Sequence, residues 1–119
     1  MKNIAKSLVV FTAFYFFSFA ITAQDLPQTS QKCSISQTVG LTDITVVYSR
    51  PNAKGREIFG ELVPYDKVWR TGANATTTIE FNSFVTVQGQ TLAPGKYAVF
   101  TKPKDDGVWE VMFNTNWDS

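Results

Sequence analysis

Arginines, aromatic residues and an asparagine are concentrated in one segment of the chain, where their side chains could bind a charged or ring-shaped ligand. The candidate ligand-binding residues are Arg50, Arg56, Tyr65, Trp69, Arg70 and Asn74. Guanidinium groups offer forked hydrogen-bond donors to carboxylates and phosphates, and an indole face can stack on a sugar ring or a cation. The segment therefore predicts a site for an anionic or sugar-like ligand.

The same side chains also have a purely structural interpretation. An arginine beneath a loop can satisfy several backbone carbonyls, and Asn74 can bond the backbone of a turn. Trp69 and Phe59 can anchor the segment to a sheet. Because ordered loops must pair their buried polar backbone whatever they bind, both roles stay open from the sequence alone.

Catalytic chemistry has little support in the residue inventory. The chain has no histidine, which removes the commonest general base, the Ser-His-Asp arrangement and imidazole metal ligands. The carboxylates near the segment form no recognisable catalytic pair; they are Glu57, Glu61, Asp66 and Glu80. We assign no catalytic residue, expect no metal site and no cofactor, and treat an enzyme as the less favoured class.

The first residues have the pattern of a secretory signal peptide. Lys2 and Lys6 precede an apolar run of 14 residues at 8–21, and the small Ala23 follows. This run is shorter than the about 20 residues that a bilayer span needs. We expect a helical signal peptide over residues 1–23, cleavage after Ala23, no stable membrane span afterwards, and an exported protein in the periplasm or outside the cell.

Charge and cysteine content narrow the class of the mature chain. Loss of Lys2 and Lys6 with the leader leaves nine of the 11 basic residues against 10 acidic ones. This near-neutral balance argues against a nucleic-acid partner. Cys33 is the single cysteine, so no internal disulfide can form. We expect a flexible lead over residues 24–32 and one domain over residues 33–119.

The mature chain has the alternation of apolar and polar residues that is typical of β-strands. Ile44, Val46 and Tyr48 alternate with polar or smaller neighbours, and the later strand-length runs are separated by Gln-Gly, Pro-Gly and Asp-Gly turn pairs. No sustained helical spacing follows the leader. The sequence predicts an all-β fold, an antiparallel β-sandwich or partly open barrel. Tyr97, directly after a Pro-Gly turn, is predicted to bond the preceding loop through its hydroxyl.

Between two of these strands lies a long irregular connector, residues 50–77. Pro51 prevents the preceding strand from continuing as a central member of a sheet. Connectors of this length are usually functional, which is why the candidate site is placed here.

Short motifs in and after the connector resemble a known protein family. They read SRP, KGREIFGELVPY, KVWRTGAN, TTTIEF, LAPGKYAVF and WEVMFN. Across residues 37–117 the chain resembles the secreted bacterial family known as domain of unknown function 2911. The family's pattern falls on Arg50, Gly55, Arg56, Phe59, Gly60, Pro64, Tyr65, Trp69, Arg70, Gly72, Asn74 and Thr77.

The resemblance implies an exported protein of bacteroidete-type bacteria with no established activity. Two positions depart from the family pattern: Asp66 stands where relatives tend to have glycine, and Ala75 where they tend to have an acidic residue. Relatives also tend to continue with further strands past the Asn114 region, so the resemblance implies either a member of the family that is shortened at its C-terminus or a fragment of a longer chain.

The preferred functional hypothesis is a small exported module that binds a small molecule, a glycan or a protein through the connector. One alternative is a histidine-independent hydrolase acting on envelope glycans or esters. The other is a purely structural or assembly protein, in which the end near Trp117 pairs with a strand of another chain.

Overall fold

The computed structural model describes residues 26–118, and these residues form an all-β fold, as the sequence predicts. The strands are β1 (Gln31–Val39), β2 (Thr42–Arg50), β3 (Thr78–Phe81), β4 (Val85–Val87), β5 (Gln90–Leu92), β6 (Gly95–Lys102) and β7 (Glu110–Asn114). No helix among these residues is long and apolar enough to cross a membrane. The predicted signal-peptide helix and its cleavage site fall outside the described residues.

The strands form two antiparallel sheets. The larger sheet has the order β1-β2-β3-β6-β7, and β4 and β5 form a separate two-stranded sheet. Every pair of neighbouring strands is antiparallel. Within the described residues β1 and β7 are the edges of the larger sheet, so the fold is an open sheet with a hairpin and contains no closed barrel.

The hairpin of β4 and β5 forms at the turn residues that the sequence indicates. Val87 pairs with Gln90, and the two residues between them, Gln88 and Gly89, have φ angles of 49° and 81°. Two consecutive positive φ angles are the requirement of the type I′ turn, whose twist matches that of the strands it joins. The pair therefore fixes the register of β4 against β5.

The aromatic part of the core lies on one face of the larger sheet, at its centre. Phe81 and Tyr97 are 5% and 8% exposed, and their ring centroids are 6.3 Å apart. Tyr97 also makes an edge contact with Phe113 at 6.3 Å. Because Ile79 pairs with Tyr97, the apolar residues of alternate positions on β3 and β6 meet on this face.

The other buried apolar residues lie elsewhere. Ala98, which follows Tyr97 on β6 and therefore faces the opposite side of the sheet, is 0% exposed. Val63 of the connector is 7% exposed.

Tyr97 makes the corner contact that the sequence predicts, since its hydroxyl donates to the carbonyl oxygen of Ala93 at 2.7 Å. We expect Tyr97→Phe to lower the free energy of unfolding by about 1 kcal/mol, because the part-buried carbonyl loses its donor. Chemical denaturation measures this change. Tyr65→Phe is the control, because its hydroxyl has no hydrogen-bond partner among residues 26–118. Equal effects of the two substitutions would contradict the corner role.

The connector occupies a gap in the larger sheet that the short strand β3 leaves open. β3 pairs with β2 and β6 only as far as Thr78, whereas both neighbours continue beyond that level. There Trp69 exchanges two backbone hydrogen bonds with Thr101, at 2.7 and 2.9 Å. On the other side the amide of Ala73 donates to the carbonyl of Ser49 at 3.4 Å. The connector is thus irregular in conformation but joined to both neighbouring strands.

The N-terminal lead differs from the sequence-based expectation at its boundary. β1 begins at Gln31, so Gln31 and Lys32 belong to the strand, where they pair with Arg50 and Ser49. The expected lead over residues 24–32 placed them outside it. The long partner strand β2 explains the difference, because it extends the ladder two residues beyond the apolar alternation.

Candidate functional site

A cleft opens at the connector, and we call it the connector cleft. It is lined by Ser30 and by residues of the segment 51–73, and its volume is about 500 Å³. Of the six candidate residues, Arg56, Trp69 and Arg70 line it, whereas Arg50, Tyr65 and Asn74 do not. The structure therefore brings half of the predicted set together.

Arg56 is held in the wall of the cleft by the backbone of its own loop. Its Nε donates to the carbonyl of Ala53 at 3.0 Å, and its Nη2 donates to the carbonyl of Asn52 at 2.8 Å. These bonds satisfy two loop carbonyls, which is the structural role considered above. They also hold the guanidinium in one orientation, with its Nη1 free of hydrogen bonds to the described residues.

Arg70 lines the cleft, and its guanidinium has no partner among the described residues. The residue is exposed, and its side chain makes no hydrogen bond or ion pair within residues 26–118. An arginine side chain carries five donors, and donors that this part of the chain does not engage are available to a ligand. Between residues 26 and 118, Arg70 is thus the cation of the cleft whose donors are all unengaged.

The backbone around Arg70 is fixed although its side chain is free. The preceding residue, Trp69, forms the bridge to Thr101, and the following residue, Thr71, has a φ of 59°. A β-branched residue rarely adopts a positive φ. The hydroxyl of Thr71 compensates by contacting the Trp69 carbonyl at 3.2 Å and the Thr101 hydroxyl at 3.0 Å, and Thr77 donates to the Thr71 carbonyl at 2.8 Å.

Arg50 lies at the end of β2, apart from the cleft. Its Nε and Nη2 donate to the Tyr48 hydroxyl at 3.1 and 3.0 Å, and Nη2 also reaches the Cys33 sulfur at 3.4 Å. The bond to Tyr48 and, secondarily, the neighbouring Cys33 raise the pKa of Arg50 above its usual value. Its guanidinium is thus engaged on the β1–β2 ladder.

Trp69 belongs to an aromatic cluster beneath the connector. Phe59 makes edge contacts with both Trp69, at 6.1 Å between ring centroids, and Trp109, at 4.8 Å. Edge-to-face pairs of this kind add to the stabilisation that burial of the rings provides. The cluster joins the connector to the start of β7, so Trp69 serves as an anchor as well as a wall of the cleft.

Tyr65 and Asn74 have local structural contacts. The Tyr65 ring lies against Gly60, where an added Cβ would stand 2.9 Å from its Cε2 atom. The amide of Asn74 donates to the side-chain oxygen of Gln28 at 3.1 Å and to the carbonyl of Ser30 at 3.0 Å. Asn74 thereby ties the lead to the connector, which places Ser30 at the cleft.

The aliphatic wall of the cleft, which consists of Ile58, Leu62 and Val63, was not predicted from the sequence. A tight loop assembles it: the amide of Val63 donates to the carbonyl of Ile58 at 2.7 Å, and the amide of Gly60 donates to the carbonyl of Val63 at 2.9 Å. The available signal was three aliphatic residues within a six-residue stretch of the connector. Without strand or helix spacing, that signal does not say which way they face.

The carboxylates that a hydrolase could use lie outside the connector cleft. Glu57, Glu61, Asp66 and Glu80 are exposed and do not line the cleft, and Glu80 pairs with Lys96 at 3.7 Å. Among residues 26–118 there is no group of three or more residues that could hold a metal ion. Near the last strand, the ammonium of Lys96 lies 4.4 Å from the centroid of the Trp117 ring.

The fold and the cleft define a small antiparallel all-β protein whose ordered connector carries a cationic cleft. Residues 30–119 match the family described as "Protein of unknown function (DUF2911)", and the chain belongs to this family. The resemblance inferred from the connector motifs is therefore confirmed. Comparison with the curated proteins and with the solved structures found no match.

Proposed function

We propose that this protein is an exported module that binds a small ligand in the connector cleft. The observation that supports binding is the guanidinium of Arg70, which is unpaired within residues 26–118, on a backbone that hydrogen bonds hold in place. The cleft volume of about 500 Å³ lies within the range of small-molecule sites. The export part of the proposal depends on the signal-peptide pattern of residues 1–23.

The fixed backbone around Arg70 and the unengaged donors of its side chain favour a binding role for this residue over a purely structural one. Arg56 shows what a structural arginine does in this connector, because two of its nitrogen atoms bond loop carbonyls. Arg70 lies in the same cleft and bonds none. Binding to a preformed site also avoids the cost of ordering the loop when the ligand arrives.

Binding is tested by two-dimensional NMR with the purified protein and a panel of neutral, anionic and cationic fragments. We expect some fragments to shift the amide signals of Gly72 and Ala73, which line the cleft. Ala53→Trp should abolish these shifts, because Ala53 is an exposed residue of the cleft wall.

Leu41→Trp is the matched control, since Leu41 is 96% exposed in the turn between β1 and β2, outside the cleft. It should leave the shifts unchanged, and thermal unfolding would verify that both variants fold. A panel in which no fragment of any charge perturbs the cleft would reject the proposed function.

A further inference from the structure

We infer that the connector cleft takes an amphiphilic anion, meaning a carboxylate or phosphate group carried on an apolar body. The inference rests on the proposed binding function and adds the chemical class of the ligand. It comes from two features of the cleft, which are its charge and its apolar wall.

The charge of the cleft is one-sided. Arg56 and Arg70 line it, and no aspartate or glutamate among residues 26–118 does. Arg56 is oriented by its bonds to the loop, and no donor of Arg70 is engaged by the described part of the chain. Guanidinium donors bind carboxylates and phosphates more strongly than neutral acceptors, because both partners of the hydrogen bond are charged. The ligand is therefore an anion.

One wall of the cleft is apolar, in contrast to its two arginines. Leu62 lines the cleft with a side chain that is 52% exposed, next to Val63, which is 7% exposed, and Ile58. An anion without an apolar body would leave Leu62 in contact with water. A ligand that covers Leu62 while its acidic group meets Arg70 uses both surfaces, because burying apolar area is favourable.

Sugar recognition is the competing class. Ser30, Asn52 and Trp69 line the cleft and could contact a sugar, whereas Tyr65 and Asn74 do not line it. A neutral sugar would offer the two guanidinium groups no charged acceptor, and its hydroxyl groups would face the aliphatic wall. The combination of two cations with an aliphatic wall therefore favours an apolar acid.

The probes separate the parts of such a ligand. Octanoate carries the acid and the chain, octanamide the same chain without charge, and acetate or inorganic phosphate the charge without a chain. Octyl phosphate distinguishes a phosphate head from a carboxylate head. We expect octanoate or octyl phosphate to bind about tenfold or more tightly than octanamide, as a charge-assisted bond predicts. We expect acetate and inorganic phosphate to bind more weakly than octanoate and octyl phosphate.

Two variants assign the effects to residues. Arg70→Gln should reduce the affinity for octanoate about tenfold, to that for octanamide, while octanamide binding stays unchanged. This substitution breaks no bond within the described residues, so the fold should persist. Lys67→Gln is the control: it removes the same charge from an exposed connector residue that does not line the cleft, and octanoate affinity should be retained.

The outcomes distinguish this inference from the binding function on which it rests. If octanamide binds as tightly as octanoate, or if Arg70→Gln keeps the preference for octanoate, the ligand class is wrong and the binding function stands. If acetate or inorganic phosphate binds as tightly as octanoate, the ligand needs no apolar body and that part of the inference is wrong. If no neutral, anionic or cationic fragment perturbs the cleft, the binding function and this inference are both rejected.

Discussion

Replacing Phe81 with alanine is expected to lower the free energy of unfolding by about 3 to 4 kcal/mol. The ring is 5% exposed and packs 6.3 Å from Tyr97 at the centre of the larger sheet. Removing it forfeits the burial of the ring and leaves a cavity on this face of the sheet. The strands β2, β3 and β6 cannot close the cavity by moving together, because their backbone ladders fix the spacing between them.

The chain contains a matched control for this substitution. Phe84 lies three residues later and is 70% exposed. Phe84→Ala should change the free energy of unfolding by about 0.5 kcal/mol or less, since an exposed side chain loses little burial. Urea denaturation of both variants measures the difference. Similar midpoints for Phe81→Ala and Phe84→Ala would show that the core is not centred on the Phe81 and Tyr97 pair.

The fold was largely predictable because its signals are local. Two-residue alternation specifies strands that are buried on one face, and the Gln88-Gly89 pair specifies a hairpin turn. The packing at the end of the connector was less predictable. β3 begins at Thr78. Just before it, the Thr77 hydroxyl donates to the Thr71 carbonyl, a contact within the connector that no local pattern indicates.

The candidate site was predictable only in part, because only contacts between residues close in the sequence leave a recognisable pattern. Trp69, Arg70 and Arg56 meet at one cleft because they lie on the connector itself. The position of Arg50 also follows from alternation, because it shares a strand face with Tyr48 and is found bonded to it. The contacts of Asn74 could not be anticipated, since they join segments 44 and 46 residues apart in the chain.

The irregular connector also limits which substitutions the cleft can accept, and Gly72 is a restricted position in the cleft wall. A Cβ atom added there would stand 2.9 Å from the Thr77 hydroxyl oxygen and 3.4 Å from the Ser49 carbonyl oxygen. Thr77 is 5% exposed and its hydroxyl is engaged with the Thr71 carbonyl at 2.8 Å, so it cannot turn away without losing that bond. The expected cost of Gly72→Ala is about 2 to 3 kcal/mol.

Gly55→Ala separates this crowding from the general cost of replacing a connector glycine. A Cβ at Gly55 meets no atom within 4 Å, and its φ of +70° makes alanine unfavourable by about 1 kcal/mol. Denaturation should therefore rank Gly72→Ala as the more destabilising variant. Because Gly72 also lines the cleft two residues after Arg70, its variant should weaken octanoate binding, whereas Gly55→Ala should not. Equal destabilisation by the two substitutions would mean that the contact between Gly72 and Thr77 is loose enough to relax. The connector would then hold Arg70 less rigidly than its hydrogen bonds indicate.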